Sequence, residues 1–373
     1  MRGTEARTRQ EIQDELDRLQ ATGGVGGTST IANAQFQTVR ANVTDVIRLM
    51  SELARRPSFP TSEFDIIREQ RIAGLEESGA DPQVLAQLEL ARIMDPRPTG
   101  HPSYTETIEE AVAALRATTL KEAQAFYHDF WGPQNGKIVL VGDFDEAEAR
   151  QVIDEAFSDW ESPHAFERIA TPFVDPDAQN IEIETPNKAN AMLWARQNFE
   201  LRESDPDYGA LLMAGEIIGG GVLNSRLANR IRNQDGLSYG VQAMISGHPV
   251  DAAGQFIAVA IFAPENVDKV ETALIEELEK VLADGFTQEE FDAARQGWLE
   301  GRQLSRSQDG NLAGALAQNL YFDRTFQFDQ ELEDRVRTIT LNEVNQAIRD
   351  RLDLEKMTIV KGGDFANKRV TIG

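Results

Sequence analysis

The chain has 373 residues, 41% of them hydrophobic and 27% charged, which is enough for two domains of ordinary size and argues against wholesale disorder. Lys and Arg number 37 against 62 Asp and Glu, a net charge of −25, so no basic excess exists to displace counterions from a nucleic acid. There is no Cys, which excludes disulfides and thiolate chemistry, and the longest apolar run, 256–263, is far too short for a transmembrane helix.

The N-terminus runs directly into a charged amphipathic stretch over 7–19 and shows no apolar targeting segment. This fits a cytoplasmic protein or a chain that begins inside a longer one. Strand-like residues follow, then a helix opening at Asn42-Val43, whose apolar positions Val43, Val46, Ile47, Met50 and Leu53 recur at helical spacing, with Asn42 as its expected N-cap. A second helix starts near Ser62, after Phe59-Pro60-Thr61. A third stretch leads to the Thr119-Leu120-Lys121-Glu122 helix, and 137–141 is expected as a closing strand before Gly142-Asp143-Phe144.

The second half repeats this order. Asn266-Val267 matches Asn42-Val43, and Phe286 to Asp292 matches Phe59 to Asp65. Thr340-Leu341-Asn342-Glu343 matches Thr119 to Glu122, and Gly363-Asp364-Phe365 matches Gly142-Asp143-Phe144, both at an offset of 221 residues without a gap. The fold expected is α+β, as two homologous sandwich-like domains in tandem, each a sheet with helices packed on one face. The first repeat covers 1–165, a Pro-bearing linker 166–180, and the second repeat 181–373. Repeat two opens with a strand near Ile181 to Glu184, another over 189–197 and an apolar helix over 208–218, with Gly219-Gly220-Gly221 as its stop. Counterparts of these would lie before Met1, so the first domain is expected to lack its first strands and helix.

The four His residues, His101, His128, His164 and His248, form no pair at metal-ligand spacing on a helix, and no Ser/His/Asp order or phosphate-binding loop stands out. The sharpest local signal is Asn224 to Gly240. It reads as a short basic helix, an Asp235-Gly236 turn, and a strand from Leu237.

Ser225-Arg226-Leu227, Ile231-Arg232 and Gly236-Leu237-Ser238-Tyr239 resemble the Arg…Tyr segment in the second domain of the pitrilysin/insulinase family of zinc metallopeptidases. The seven-residue step from Arg232 to Tyr239 fits that pattern, as do the two terminal Gly-Asp-Phe motifs. The resemblance implies a clamshell of such domains around a peptide substrate, with zinc on an inverted His-x-x-Glu-His helix. This chain has no His-x-x-Glu-His, and the helix over 208–218 has no His. The expectation is therefore that it binds no cofactor itself and corresponds to the C-terminal, non-catalytic half of a long bacterial member. The zinc would be supplied by a catalytic half or second subunit in the assembled enzyme, and a periplasmic location follows by the same resemblance.

Arg232 offers fixed-fork donors for a carboxylate or carbonyl, and the Tyr239 hydroxyl can donate to a carbonyl oxygen as charge develops. The bland alternatives are an ion pair for Arg232 and half-buried packing for Tyr239. Two other readings stay open: a structural or assembly subunit of the same fold, and a truncated catalytic half with Glu69 as third zinc ligand. For Glu69 the bland alternative is a solvated carboxylate on a helix whose inward positions are Phe64, Ile67 and Leu75. A homo-oligomer is a further expected partner state.

Overall fold

The structure, a computed structural model, describes residues 1–221 and 225–368, so Asn224 at the head of the Arg…Tyr segment lies outside the described residues. Helix α1 (Arg9–Arg18) leads into a hairpin of β1 (Thr22–Gly27) and β2 (Ala32–Gln37). Six helices follow: α2 (Val43–Arg55), α3 (Thr61–Ser78), α4 (Pro82–Met94), α5 (Ile108–Ala117), α6 (Leu120–Phe130) and α7 (Glu146–Phe157). Next come β3 (Asn180–Glu184), β4 (Ala191–Phe199) and α8 (Tyr208–Gly215), which continues as a π-helical turn over Glu216–Gly220. A second π-helical stretch, Ala228–Gln234, precedes β5 (Ser238–Ser246) and β6 (Gly254–Phe262). The chain closes with α9 (Val267–Asp284), α10 (Gln288–Arg306), α11 (Asp309–Tyr321), α12 (Phe326–Thr338), α13 (Leu341–Arg351), β7 (Thr358–Gly363) and α14 (Phe365–Lys368).

The repeated Thr-Leu motif has a local cause. Thr119 and Thr340 each accept from the backbone of the residue three on, while Glu122 and Glu343 reach back to the Thr backbone nitrogen at 2.7 Å. Each is a full capping box, satisfying orphan donors at a helix start. The two Asn residues act differently from expectation. Neither caps its helix with its side chain. Asn42 Nδ2 instead donates to the Leu19 carbonyl at 2.8 Å, and Asn266 Nδ2 to that of Leu237 at 3.4 Å, tying each helix start to the residue ahead of its hairpin.

The chain divides into two compact units that do not follow the repeats linearly. Unit 1 is Met1–Glu76, Thr99–Arg168 and Ser307–Tyr321; unit 2 is Glu77–Pro98, Ile169–Arg306 and Phe322–Gly373. Thus α4, from repeat one, belongs to unit 2, and α11, from repeat two, belongs to unit 1.

Unit 2 holds a five-stranded sheet in the order β3-β7-β4-β6-β5, antiparallel except for the β3–β7 pair. Alternation sets its two faces. Ala191, Leu193, Ala195 and Phe199 of β4, with Phe256, Ala258, Ala260 and Phe262 of β6, join one continuous core with α8, α9 and α13. Each fully buried large side chain there contributes about 1.5–3 kcal/mol relative to exposure. On the opposite face α4 covers part of the sheet, packing Ala86, Leu90 and Met94 on Val360, Trp194 and Ile257.

Unit 1 is smaller-cored. Its hairpin pairs only β1 with β2, and its apolar residues form two separate clusters, one around Ile12, Leu16 and Leu49, the other around Ile47, Ala149 and Val152. The segment 137–141, expected as a strand, forms no ladder. Its match, β7, is held between β3 and β4, and unit 1 has no counterpart of either among the described residues. Without neighbours to receive its N–H and C=O groups, a strand-forming sequence stays irregular.

Candidate functional site

The basic stretch places its three arginines in different surroundings. Arg226 donates to both Glu290 carboxylate oxygens, at 2.7 and 2.8 Å, and to the Gly285 carbonyl at 2.8 Å, while lying over the Phe286 ring. Arg230 pairs with Asp235 and, at 2.9 Å, with Glu276. Both therefore fasten the stretch to its own unit. Arg232 is exposed and has no hydrogen-bond or ion-pair partner among the described residues.

The turn after it is the one the sequence indicates. Gly236 adopts φ +64°, a conformation that glycine reaches without a Cβ penalty, and Leu237 N donates to Ile231 O at 2.9 Å. Strand β5 then begins with an irregularity: Ser238 pairs with Phe262 and Gly240 with Ile261, leaving Tyr239 as an extra residue. The Ser238 hydroxyl fixes this bulge. It accepts from Gly240 N at 3.1 Å and has the Ile261 and Gly240 carbonyl oxygens at 2.7 and 2.8 Å as acceptors for its proton. A bulge bends the strand and redirects a side chain. Tyr239 is 68% exposed and, like Arg232, unpartnered among the described residues.

β5 is also an edge strand, which leaves one row of its backbone groups open to strand addition. Beyond the part of the sheet that α4 covers, Met244 of β5 and Ile261 of β6 are exposed apolar side chains. An open strand edge, a bulge-directed phenol, a free guanidinium and an apolar strip can together engage an extended peptide. Sequence reasoning missed the part played by Ser238; a Ser one residue before an exposed Tyr at a strand start is the signal it carried.

Glu69 lies on α3 with its carboxylate exposed and only Arg68 nearby, 3.8 Å away. Of the inward positions, Phe64, Ile67 and Leu75 are half-buried and Ile72 is the buried one. No group of three or more His, Asp or Glu that could hold a metal occurs among the described residues. Helix α8 with its π-turn carries a single carboxylate, Glu216, raised above the ordinary glutamate range by burial. The donor set does not fit a zinc centre.

Residues 117–297 match the peptidase M16 inactive domain. A structure of a peptidase M16 inactive domain from Pseudomonas fluorescens is 25% identical, with a TM-score of 0.80 over 97% of this chain and 85% of that one. The chain is therefore similar to proteins of the M16 family, the pitrilysin/insulinase type, with the match to the inactive domain falling on residues 117–297. The curated Helicobacter pylori protein named "Non-peptidase homolog YmxG" is 22% identical over 316 residues, 84% of this chain and 71% of its own length. The periplasmic protease PqqL from Escherichia coli shares the fold at 15% identity and a TM-score of 0.73, over 96% of this chain but only 39% of PqqL. The chain is thus a non-catalytic, M16-like α+β protein, and no helix among its described residues is long and apolar enough to cross a membrane.

Proposed function

We propose that this chain acts as the non-catalytic partner half of an M16-type endopeptidase, contacting peptide through Arg232, Tyr239 and the open edge and face of β5. The observation that carries this is the freedom of the two side chains: Arg226 and Arg230 are spent on internal pairs, whereas Arg232 and the bulge-lifted Tyr239 are not. Arg232 binds a substrate carbonyl or carboxylate through its fork of N–H donors. The Tyr239 hydroxyl donates to a carbonyl oxygen as negative charge grows on it, an interaction stronger in the transition state than in the ground state.

The test is reconstitution with a catalytic half that supplies His-x-x-Glu-His. Tyr239→Phe is expected to lower kcat about a hundredfold, the range seen for removing one oxyanion donor. Arg232→Ala is expected to act mainly on KM. Unchanged kinetics in both variants would sink the proposal.

The Helicobacter pylori relative, named a non-peptidase homologue, favours a second reading, an M16-fold structural subunit with no peptidase role. Peptide-induced shifts at β5 amides without turnover in any pairing would favour it. The Glu69 reading needs two imidazoles from elsewhere, and nothing around Glu69 in unit 1 favours it.

A further inference from the structure

On the sheet face of unit 2 that α4 partly covers, the ladders line up side chains in rows. Arg196, Ile257 and Met244 form one row across β4, β6 and β5, and Trp194, Val259 and Gln242 form the next. Arg196 is the single charge among these six. Its Nε donates to Asn198 Oδ1 at 2.9 Å, and its terminal nitrogens have no carboxylate or carbonyl partner among the described residues. Burial pushes its guanidinium below the ordinary arginine range, and the nearby Asp95 carboxylate offsets only part of that.

The end of α4 adds a second cation. Asn198 Nδ2 donates to the Met94 and Val174 carbonyls, both at 2.8 Å, which seats the last residue of α4 beside Arg196. Just beyond it, Arg97 pairs with Asp95 at 2.6 Å. The Arg97 side chain is 10% exposed, and its Nε is enclosed without an acceptor. The indole Nε1 of Trp194, two residues before Arg196 on the same face, is enclosed without an acceptor as well. Buried donors ordinarily have partners, and one left unpaired carries its full desolvation cost. The shortfall is not for want of acceptors, since the chain has 62 Asp and Glu against 37 Lys and Arg. Arg226, Arg302 and Arg324 of the same unit each hold a carboxylate.

We propose that Arg196 and Arg97 hold the carboxylate of a bound peptide on this face, with the adjacent apolar side chain of that peptide lying over Ile257 and Met244. Two guanidiniums against the one Asp95 carboxylate leave a single positive charge, which a monoanion balances. A phosphate dianion would overshoot it and would meet Asp95. Arginine's planar fork suits a carboxylate in two-pronged contact. The apolar side chain has its place because Met244 is 54% exposed and Ile257 half-buried. The carboxylate comes from a peptide C-terminus or from an Asp or Glu side chain. The site is distinct from Arg232 and Tyr239: Tyr239 adjoins the row of Gly240, Ile261 and Met192, four residues along β4 from Arg196. Its occupancy requires no strand added to the β5 edge.

The experiment is calorimetric titration of the whole chain with three probes: acetyl-Leu-Val-Leu with a free C-terminus, the same peptide as its C-terminal amide, and acetyl-Leu-Glu-Leu amide. At least one of the two carboxylate probes is expected to bind about tenfold or more tighter than the Val amide, as one charge-assisted contact provides, and the tighter of the two identifies the source. Arg196→Gln, which retains a side-chain donor toward Asn198, is expected to abolish the preference. Its urea midpoint should be unchanged or raised, because an uncompensated charge leaves a half-buried position. Asp95→Asn adds one positive charge to the site and is expected to tighten the carboxylate probes. Carboxylate probes that bind the unmodified chain no better than the amide, or do not bind, would overturn the proposal without recourse to any variant. A preference that survives Arg196→Gln would assign the carboxylate to another cation and overturn it equally.

Discussion

A Cβ placed on Gly219 would lie 2.0 Å from the backbone nitrogen of Ala243, so the π-helical turn after α8 meets β5 with no side chain between them. Gly215, one turn earlier, approaches Ile245 N in the same way, at 2.8 Å. Gly219 and Gly220 therefore lie within the turn rather than after it, and Gly219 is required there for contact with the strand that presents Tyr239.

Gly219→Ala is expected to destabilise unit 2 by about 3 kcal/mol or more, at the upper end of overpacking costs, because the obstacle is strand backbone that cannot rotate away. Gly297→Ala, in the middle of α10 with nothing within 4 Å of the added methyl, is expected to stabilise by about 0.5–1 kcal/mol. Urea midpoints of the two variants check both signs, and equal midpoints would refute the contact.

Ser238→Ala removes the hydroxyl that fixes the bulge and is expected to cost about 1 kcal/mol of stability. It also releases the aim of Tyr239, so the variant should lose kcat in the reconstituted enzyme although Ser238 touches no substrate. Rescue by Ser238→Thr, which restores the hydroxyl, separates positioning from a general folding defect.

Glu333 is 3% exposed and accepts from Arg302 at 3.0 Å, from Arg337 at 3.1 Å and from Arg306. Burial pushes its carboxyl up, but the hydrogen bonds from Arg306 and Arg302 outweigh it and hold it below the ordinary glutamate range. A depressed value stabilises the fold fully above the unfolded-state value of about 4.3 and ceases to do so as pH falls through the folded-state value. Glu333→Gln should therefore cost about 2–4 kcal/mol at pH 7, moderated by the partial exposure of the three arginines, and the difference from wild type should shrink below about pH 4. Denaturation midpoints between pH 3 and 7 provide the check; a constant difference would contradict the assignment.

The chain alone is expected to bind no stoichiometric zinc and to cleave no peptide, because it lacks a closely spaced His pair and has no Cys. Elemental analysis after dialysis against zinc, with a peptide assay in parallel, tests both. One tightly held zinc per chain with chelator-sensitive cleavage would reverse the conclusion.

Much of the fold is written locally. The capping boxes at Thr119 and Thr340, the apolar spacing after Asn42 and Asn266, and the Asp235-Gly236 turn each fix their elements within a few residues. What escapes is decided at long range. Residues 137–141 have a strand's composition, yet a strand exists only with neighbours. Asn42 resembles a cap but bonds to Leu19, 23 positions away. At the site, the Arg232-to-Tyr239 spacing is legible, while the freedom of Arg232 depends on which acidic groups its neighbours reach: Arg226 takes Glu290, 64 residues downstream, and Arg230 takes Glu276, 46 residues downstream.

The allotment of α4 to one unit and α11 to the other makes the repeat a unit of descent but not of independent folding. A break near Arg168 would part β7 and β4 from α4, whose Leu90 and Met94 cover them, and would part β2 from the segment carrying Gly310. Either half alone would expose sheet that its own sequence cannot cover. A cut in that linker should therefore yield two fragments that stay together through denaturant concentrations short of global unfolding, and a duplicated ancestor of this kind would have become obligate once its halves began to share helices.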